Sequence, residues 1–262
     1  MKKLMFVAVA ALCGAVSADV TSANIVGYTT ISVNGSSYAA LGLQFEDVAG
    51  GTGTKSVADL VDKAKLNSNT DWKSSDQIWR YDTIKNEWIK YFYGKASRFA
   101  TPEWKRLDGD SGVALTDEDV VKVGETVLFY RSGAATTISL AGGVRAFGNP
   151  QGYMLNASVY TFVAYPWPVA LPIADFSKYF TPTSNTDWKS CDQVWRYDNV
   201  KNEWVKYFYG KASRFATPEW MRLEGESGVA VTDADVIPAG EGALIYRAGA
   251  ACQLVFTYGD NN

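Results

Sequence analysis

The chain has no histidine among its 262 residues, and this limits the chemistry that its side chains could perform. Ser-His-Asp and Cys-His catalysis need an imidazole base, and histidine is also the commonest zinc ligand. Carboxylates are the acid-base groups that remain in number. Glu87, Glu103, Glu203 and Glu219 each precede a tryptophan, as the carboxylates of a glycoside hydrolase could. Because exposed strand positions commonly carry glutamate, we expect these residues to be solvated and the protein not to be an enzyme.

Short acidic runs are a second group of candidate ligands. "LDGDSGV" begins at Leu107 and "LEGESGV" at Leu223, and "TDEDV" and "TDADV" follow at Thr116 and Thr232. Alternating acidic side chains suit calcium, but no run completes a twelve-residue calcium-binding loop. We expect solvated turns rather than calcium sites, and we predict no cofactor.

The aromatic residues give the strongest indication of binding, since the chain has nine Trp and 15 Tyr. In "EWIKYFYG", from Glu87, the period of two places Trp88 and Phe92 on one face and Tyr91 and Tyr93 on the other. A strand between two packed layers would bury both faces as core. If one face is open, Trp and Tyr beside Lys90 could stack on sugar rings. The candidate ligand-binding residues are Trp88, Tyr91, Tyr93, Trp104, Trp204, Tyr207, Tyr209 and Trp220.

These candidates recur because the chain repeats itself. Residues 69–119 align with residues 185–235 without a gap, and 41 of the 51 positions are identical. A period of this length and only two copies indicate tandem domains rather than a solenoid. We predict a signal peptide over residues 1–18, one β-rich module over 19–142 and a second over 143–262.

Each copy shows the pattern of a mainly β fold. "QIWRYD" and "EWIKYFY" are aromatic and β-branched runs around the turn-like "DTIKN", which is typical of a hairpin. Four further runs predict strands: "GYTTISV", "SYAALGLQF", "TVLFYRSG" and "TTISLAG". "SVADLVDKAKL" has apolar residues at helical spacing behind Ser56 and predicts one short helix. The predicted fold class is a β-sandwich or partly closed barrel in each copy.

The repeat also makes a cysteine pair visible. Cys191 and Cys252 both lie in the second copy, and the residues that match them in the first are Ser75 and Thr136. Both positions therefore change together, as facing positions would. An exported protein can form disulfides, and we predict a Cys191–Cys252 bond, with two independent buried thiols as the alternative.

The first residues, "MKKLMFVAVAALCGAVSA", have the charged start, apolar run and small-residue end of a secretory signal peptide. The apolar run is shorter than the roughly 20 residues of a membrane-spanning helix. Cleavage after Ala18 would leave 23 basic and 28 acidic residues. This net negative charge disfavours nucleic acid as a partner. We expect a secreted or cell-surface protein.

Short motifs along the chain resemble those of a class of largely uncharacterised exported bacterial repeat proteins. They are "SANIVGYTTISV" from Ser22, "LGLQFEDV" from Leu41 and the Tyr-Arg element that follows Gly124 and Gly240. In that class, a β-rich module of the NIVGY type follows a signal peptide. The resemblance implies export and a β-rich module, and it implies no activity.

Charge is distributed unevenly within each copy. Residues 71–107 carry eight basic and five acidic side chains, whereas residues 108–125 carry six acidic side chains and Lys122 alone. Such a module could dock head to tail with its neighbour; an ordinary mixed surface is the alternative. We therefore expect a non-enzymatic surface, matrix or assembly protein that associates with itself or with matrix components. A carbohydrate-binding protein is the second hypothesis, and a carboxylate-based glycoside hydrolase is the third.

Overall fold

The computed structural model describes residues 26–47, 53–82, 85, 87–145 and 149–258, so the predicted signal peptide lies outside the described residues. The structure is mainly β and is built from antiparallel sheets, which confirms the predicted fold class. The strands of the first module are β1 Val26–Val33, β2 Ser37–Gly42, β3 Phe45–Glu46, β4 Thr54–Ser56, β5 Gln77–Asp82, β6 Glu87–Gly94, β7 Glu103–Asp108, β8 Ser111–Ala114, β9 Val120–Lys122, β10 Thr126–Arg131 and β11 Thr136–Val144.

The second module contains the remaining ten strands of the described chain. They are β12 Gln151–Leu155, β13 Tyr160–Ala164, β14 Leu171–Pro172, β15 Gln193–Asp198, β16 Glu203–Gly210, β17 Glu219–Glu224, β18 Ser227–Ala230, β19 Val236–Ile237, β20 Gly242–Tyr246 and β21 Cys252–Phe256. Short 3-10 helices cover Val57–Asp59, Lys63–Lys65, Trp72–Ser74, Ile173–Lys178 and Trp188–Ser190.

Each module has one six-stranded sheet, and the two sheets share one topology. The strand order is β2-β10-β5-β6-β7-β8 in the first module and β13-β20-β15-β16-β17-β18 in the second. Smaller sheets, β1-β11-β3 with β4-β9 and β12-β21 with β14-β19, complete the modules. The predicted hairpin is the β5–β6 pair, in which Tyr81 faces Trp88.

The core of each module lies between its large and small sheets, as in a β-sandwich. In the first module, Ile31 and Phe45 of the small sheet and Ile78 and Phe129 of the large sheet belong to one buried cluster. The equivalent cluster in the second module includes Trp167, which is fully buried. Alternation along the strands thus places one set of side chains in the core and the other on the outer face of the large sheet.

A buried ion pair anchors the Tyr-Arg element. Arg131 donates to Asp76 at 2.5 Å, and the Asp76 carboxylate also accepts bonds from the backbone N–H groups of Asn67 and Ser132. Arg247 and Asp192 form the same pair in the second module. Because Asp76 and Asp192 are fully buried, removing either arginine would leave an uncompensated charge. The element is therefore structural.

The predicted helix after Ser56 is present only as two separate 3-10 turns. Ser56 caps the first, since its side chain accepts a bond from the Ala58 N–H. Asp62 is extended, with φ −62° and ψ 114°, and its side chain caps a second turn by accepting from the Ala64 N–H. Two successive caps divide the segment, because a side chain that bonds the backbone locally competes with helix continuation.

The two modules contact each other reciprocally. The Gly42 N–H donates to the Gly240 carbonyl at 2.7 Å, and the Ala164 N–H donates to the Gly124 carbonyl at 2.8 Å. Gly42 matches Ala164 in the sequence repeat, and Gly124 matches Gly240. Each module therefore offers the same surface to the other, as the subunits of a two-fold dimer do.

Small residues allow this close approach of the backbones. A Cβ atom on Gly42 would lie 2.5 Å from the Glu241 carbonyl oxygen, and one on Gly242 would lie 2.2 Å from the Thr126 side chain. Thr126 uses its hydroxyl to donate to the Val163 carbonyl at 2.6 Å. The junction is thus ordered by hydrogen bonds as well as by packing.

Within the described part of the chain, no helix combines the length and apolar character that a membrane crossing requires.

Candidate functional site

The outer face of each large sheet carries a row of aromatic rings. In the first module, the ring centroids are 5.6 Å apart for Tyr38 and Trp79, 6.1 Å for Trp79 and Trp88, and 5.2 Å for Trp88 and Tyr81. The second module repeats this arrangement. We call these rings the outer aromatic rows, and they are Tyr38, Trp79, Tyr81, Trp88 and Tyr130 with Tyr160, Trp195, Tyr197, Trp204 and Tyr246.

The rows are partly accessible and partly covered. Trp88 is 36% exposed and Tyr160 is 42% exposed. The Lys90 ammonium lies 4.0 Å from the Trp79 ring centroid, and Lys206 repeats this contact with Trp195 at 4.2 Å. Such cation–π contacts hold the lysines against one ring face. Phe162 of the second module also packs against the first row, with its ring centroid 5.4 Å from that of Trp88. Trp88 and Tyr160 are therefore the accessible rings, one in each row.

Most of the predicted ligand-binding residues lie on the opposite, core face. Tyr91, Tyr93, Trp104, Tyr207 and Trp220 are all at most 6% exposed. The half-buried ring of Tyr209 packs against the core of the second module, whereas Trp88 and Trp204 belong to the outer aromatic rows. The structure thus does not bring the eight residues together into one surface.

Buried hydroxyls among them have structural partners. Tyr91 donates to Asp119 at 3.1 Å, and Tyr207 donates to Asp235 at 3.1 Å. Burial, reinforced by the Asp235 charge and bond, raises the pKa of Tyr207 to about 12. These tyrosines therefore join strands β6 and β16 to the acidic "TDEDV" and "TDADV" turns.

A second surface feature is a phenylalanine at the tip of the loop after β6 and of its counterpart after β16. Phe99 and Phe215 are each 94% exposed. A bond from the Ala100 N–H to the Ser97 carbonyl closes the first turn at 3.1 Å, and the second turn has the same bond at 3.1 Å. Among the described residues, none covers these rings. Arg98 and Arg214, which are also exposed, precede them.

The opposite end of β7 is acidic. Asp108 and Asp110 flank the turn into β8 and are exposed, and Glu224 and Glu226 occupy the same places in the second module. β7 has six residues, so at about 3.3 Å per residue roughly 20 Å separates this acidic turn from the Phe99 loop. Each large sheet therefore has a basic, phenylalanine-tipped end and an end with two acidic side chains, which in the second module pair with Arg222 and Lys189.

The third feature is a cleft of about 400 Å³ between the modules. Thr30, Ile31 and Ser32 of β1 line one side of it. The second module lines the rest with Arg196, Asp198, Asn199, Val200, Lys201, Pro238, Ala239 and Glu241. The volume is in the range of small-molecule sites in proteins.

The cleft contains a carboxyl group that is not paired with its neighbouring arginine. In the first module, Arg80 Nε donates to Glu125 at 2.7 Å. In the second, Arg196 bonds instead to the Val236 carbonyl at 3.2 Å and to Asp198 at 3.4 Å. Arg196 Nε is buried without a partner. The equivalent arginine and glutamate are thus bonded to each other in the first module, whereas in the second module the arginine bonds to other partners.

Glu241 is held in the cleft by an amide rather than by a guanidinium. Asn199 Nδ2 donates to its carboxyl at 3.0 Å. Burial raises the pKa of Glu241 from 4.5 to about 7, and Arg196 and Asn199 oppose this rise only in part. Asn199 itself is 8% exposed, and its Oδ1 has no partner. The residues that line the cleft thus include a carboxyl group whose pKa is raised to about 7 and two residues, Arg196 and Asn199, that each keep one buried polar atom without a partner.

The predicted disulfide is absent, since Cys191 and Cys252 are free thiols. Cys191 Sγ accepts a bond from the Asn185 N–H at 3.1 Å, and Ser75 Oγ accepts the equivalent bond from Asn69 at 3.0 Å. Cys252 instead begins β21, opposite Leu155. The two positions thus have separate local environments, which is why their joint change between copies did not indicate a bond.

The acidic residues singled out in the sequence are dispersed. Asp119 accepts bonds from Thr116 and Arg106 and is buried. Across the described residues, no group of three or more Cys, Asp or Glu side chains could hold a metal ion.

The glutamates that could form a glycosidase pair lie at opposite ends of β6. Glu87 begins this strand, and Glu103 lies opposite Gly94 at its far end. At about 3.3 Å per residue they are roughly 23 Å apart, so these two carboxylates do not form a glycosidase pair. Glu203 and Glu219 are placed in the same way.

Sequence reasoning missed the outer aromatic rows and the cleft. The hairpin register gave a usable signal for the rows, because Trp79 and Tyr81 must share the face of Trp88 once Tyr81 is paired with Trp88. The cleft had no comparable signal, since Arg196 and Glu241 are identical to Arg80 and Glu125.

Comparison with protein-family models, curated proteins and solved structures gave no match. The resemblance to exported repeat proteins thus stays a prediction.

Proposed function

We propose that the protein is an exported, non-enzymatic surface, matrix or assembly component whose modules dock head to tail with further copies of the chain. The observation that carries this proposal is the polarity of each large sheet. A basic, fully exposed phenylalanine loop lies at one end of β7 and an acidic turn lies at the other.

Charge complementarity indicates what the loop meets. Arg98 and Phe99 of one molecule would contact an acidic turn such as that at Asp108 and Asp110 of the next. The contact joins two different surfaces, so it can continue from molecule to molecule, either around a ring or along an open filament. Two loops on one chain raise the avidity of the assembly, provided both can engage at once.

Light scattering after size-exclusion chromatography tests the proposal on the mature chain. We expect large species at low salt that dissociate as salt rises, because exposed charges are screened within about 10 Å at 0.1 M salt. Phe99→Ser with Phe215→Ser should yield monomers at every salt concentration. Tyr28→Ser, which removes a ring that is 77% exposed elsewhere, should leave assembly unchanged. Wild-type monomers at both low and high salt would contradict the proposal.

Export is part of this proposal, and it has its own test. N-terminal sequencing of the protein recovered from outside the cytoplasm should begin at Asp19. An intact Met1 on that material would show that the predicted signal peptide is not cleaved.

Carbohydrate binding is the second candidate function, and the accessible rings of the outer aromatic rows favour it. Trp88 in the first module and Tyr160 in the second each present apolar ring surface on which a sugar could stack. Insoluble polysaccharides should then deplete the wild type from solution, and Trp88→Ala should reduce this retention. Equal retention of the two proteins would exclude the rows as the binding surface.

A further inference from the structure

We propose that a pocket on the second module binds a small primary alkylammonium ion. The pocket lies beside strand β14 and the 3-10 helix Ile173–Lys178, and its volume is about 270 Å³. Its lining residues include Tyr165, Leu171, Asp175, Tyr179 and Tyr258. This inference is independent of head-to-tail assembly, and it concerns neither the outer aromatic rows nor the cleft between the modules.

A matching pocket is present in the first module. Lys55 of β4 faces Val121, and Leu171 of β14 faces Ile237, so these strands are equivalent. Without a gap, the alignment of the two copies pairs Lys55 with Leu171, Asp59 with Asp175 and Lys63 with Tyr179. All three residues of each set line their own pocket. The two pockets therefore occupy the same place in the two modules.

The pocket of the first module contains its own ammonium groups. Lys55 is only 8% exposed, and its Nζ donates to the Ala141 carbonyl. Lys63 Nζ lies 3.3 Å from the Asp59 carboxylate. The second module keeps the aspartate but has a leucine and a tyrosine in place of the two lysines. An ammonium ion from solution can thus take the place that a lysine side chain fills in the first module.

The oxygen atoms of the second pocket favour a cation. Burial raises the pKa of Tyr165, and so do its hydrogen bond to Tyr179 and the nearby oxygens of Tyr179, Tyr258 and Asp175. These neighbours disfavour a negative charge at Tyr165 and therefore favour a positive charge beside it. None of the described residues that line the pocket is basic. A primary ammonium donates three hydrogen bonds, which phenol and carboxylate oxygens can accept.

The side chains that would hold the ion are accessible. Tyr258 is 39% exposed, Tyr179 is half-buried, and the Asp175 side chain is 23% exposed. The ring centroids of Tyr165 and Tyr179 are 6.2 Å apart, so one small ligand can contact both rings. A cation held against a tyrosine ring also gains from the negative charge of the ring face.

Asp175 already accepts one ammonium group, that of Lys178 at 2.9 Å. The Lys178 side chain is 50% exposed, and ion pairs of exposed side chains contribute little free energy. A carboxylate has two oxygens that can each accept hydrogen bonds. The ligand can therefore share Asp175 with Lys178 or displace it.

Apolar side chains limit the ligand to a short alkyl chain. Val169, Leu171 and Pro172 line the pocket beside the polar groups, and they can pack against methylene groups. The volume lies just below the range of drug-sized sites in proteins. The geometry therefore fits an ammonium group with a few carbon atoms.

Chemical-shift titration of the isotope-labelled mature chain with butylammonium chloride tests the inference without any variant. Butanol is the neutral control, and tetramethylammonium is the control for a cation that cannot donate hydrogen bonds. We expect saturable shifts of the backbone N–H signals of Ala170 and Leu171, which line the pocket, with butylammonium and none with either control. The inference is overturned if butylammonium gives no saturable shift there, or if either control gives equal shifts.

Substitutions at matched positions give a second readout. Asp175→Asn removes the charge and should weaken butylammonium binding by about tenfold or more, the effect of losing one charge-assisted hydrogen bond. Asp59→Asn, in the first module, is the control and should leave binding unchanged. Leu171→Lys introduces the residue of the first copy, and its ammonium group should fill the pocket and prevent binding. Unaltered binding in Asp175→Asn, or equal weakening by Asp59→Asn, would contradict the assignment of the site.

Discussion

Both modules carry an arginine and a glutamate at matching positions, which are Arg80 and Glu125 in the first module and Arg196 and Glu241 in the second. Only the first arginine and glutamate are hydrogen-bonded to each other. The first pair is joined at 2.7 Å, and the side chains are 18% and 20% exposed. In the second module, Arg196 bonds to Asp198 and Glu241 bonds to Asn199. Identical residues therefore do not guarantee an identical interaction, because their neighbours decide which bonds form.

Residues next to the arginine and glutamate differ between the two copies. Asn199 stands where the first copy has Thr83, and Pro238 and Ala239 stand where it has Lys122 and Val123. The amide side chain of Asn199 reaches Glu241 and donates to its carboxyl group. The second pair also borders the module junction, where Glu241 forms an isolated β-bridge with Leu41. Glu125 borders the same junction, because the carbonyl of the preceding Gly124 accepts a bond from the Ala164 N–H, so the neighbouring residues that differ account better for the two arrangements than the junction does.

Replacing Glu125 and Glu241 by alanine, one at a time, should give the largest difference in the free energy of unfolding between the two modules. Glu125→Ala leaves Arg80 largely buried without its partner, so we expect a loss of about 3 kcal/mol in the free energy of unfolding. Glu241→Ala should cost less than about 1 kcal/mol, since it removes a carboxyl group that pairs with no arginine. Urea unfolding at neutral pH measures both. Equal losses would show that the two sites are energetically alike.

The free energy of unfolding should depend on pH because Glu241 has different pKa values in the folded and unfolded states. Its pKa is raised from 4.5 to about 7 in the folded state, so the folded protein binds more protons than the unfolded chain in this interval. Stability from this group is fully present below 4.5 and is lost as the pH rises through about 7, by roughly 3 kcal/mol at 1.36 kcal/mol per pKa unit. Glu241→Gln should lack this loss. Parallel stability profiles of the two proteins would contradict the expected pKa.

A substitution at the junction should disturb Glu241 from the other module. Gly42→Ala places a Cβ atom 2.5 Å from the Glu241 carbonyl oxygen, and relieving this clash should cost about 1–3 kcal/mol. Thermal unfolding measures the loss. Gly152→Ala is the matched control, because its Cβ atom would meet its nearest neighbour at 3.8 Å. A loss of similar size in Gly152→Ala would show that the effect comes from glycine replacement and not from the junction.

The smallest expected effect tests the role of Asn199. Asn199→Thr removes the amide that donates to Glu241, and the carboxyl group is then free to turn toward Arg196 Nε, as in the first module. We expect stability above pH 7 to rise by about 1 kcal/mol, the worth of one net hydrogen bond. Unfolding at alkaline pH measures this gain. A loss of stability instead would mean that Asn199 supports the cleft rather than keeping the pair open.

Much of the fold could be predicted from the sequence, because its signals are local. Aromatic and β-branched runs predicted β5, β6, β10 and β11, and the structure has a strand at each of these places. β7 was missed, since "EWKRLD" places charged residues next to each other and becomes a strand only through its pairing with β6. The Ser56 cap was predicted, whereas the second cap at Asp62, which divides the segment into two turns, was not.

The site could be predicted only in part, because its features depend on the contacts between elements. The aromatic content of β6 was visible, but which face is open depends on the sheet that covers Tyr91 and Tyr93. The cysteines changed together for unrelated local reasons. Arg196 bonds to Asp198 and Glu241 bonds to Asn199, and no spacing along the chain encodes which of these partners each side chain selects.

An NMR titration of the glutamate side-chain carboxyl carbons tests the difference between the two modules most directly. The Glu241 signal can be assigned by its disappearance in Glu241→Gln. We expect its midpoint at about 7, which would show a buried carboxyl group that is not ion-paired. A midpoint at or below 4.5 would contradict the account, since it would mean that Arg196 pairs with Glu241 in solution as Arg80 pairs with Glu125.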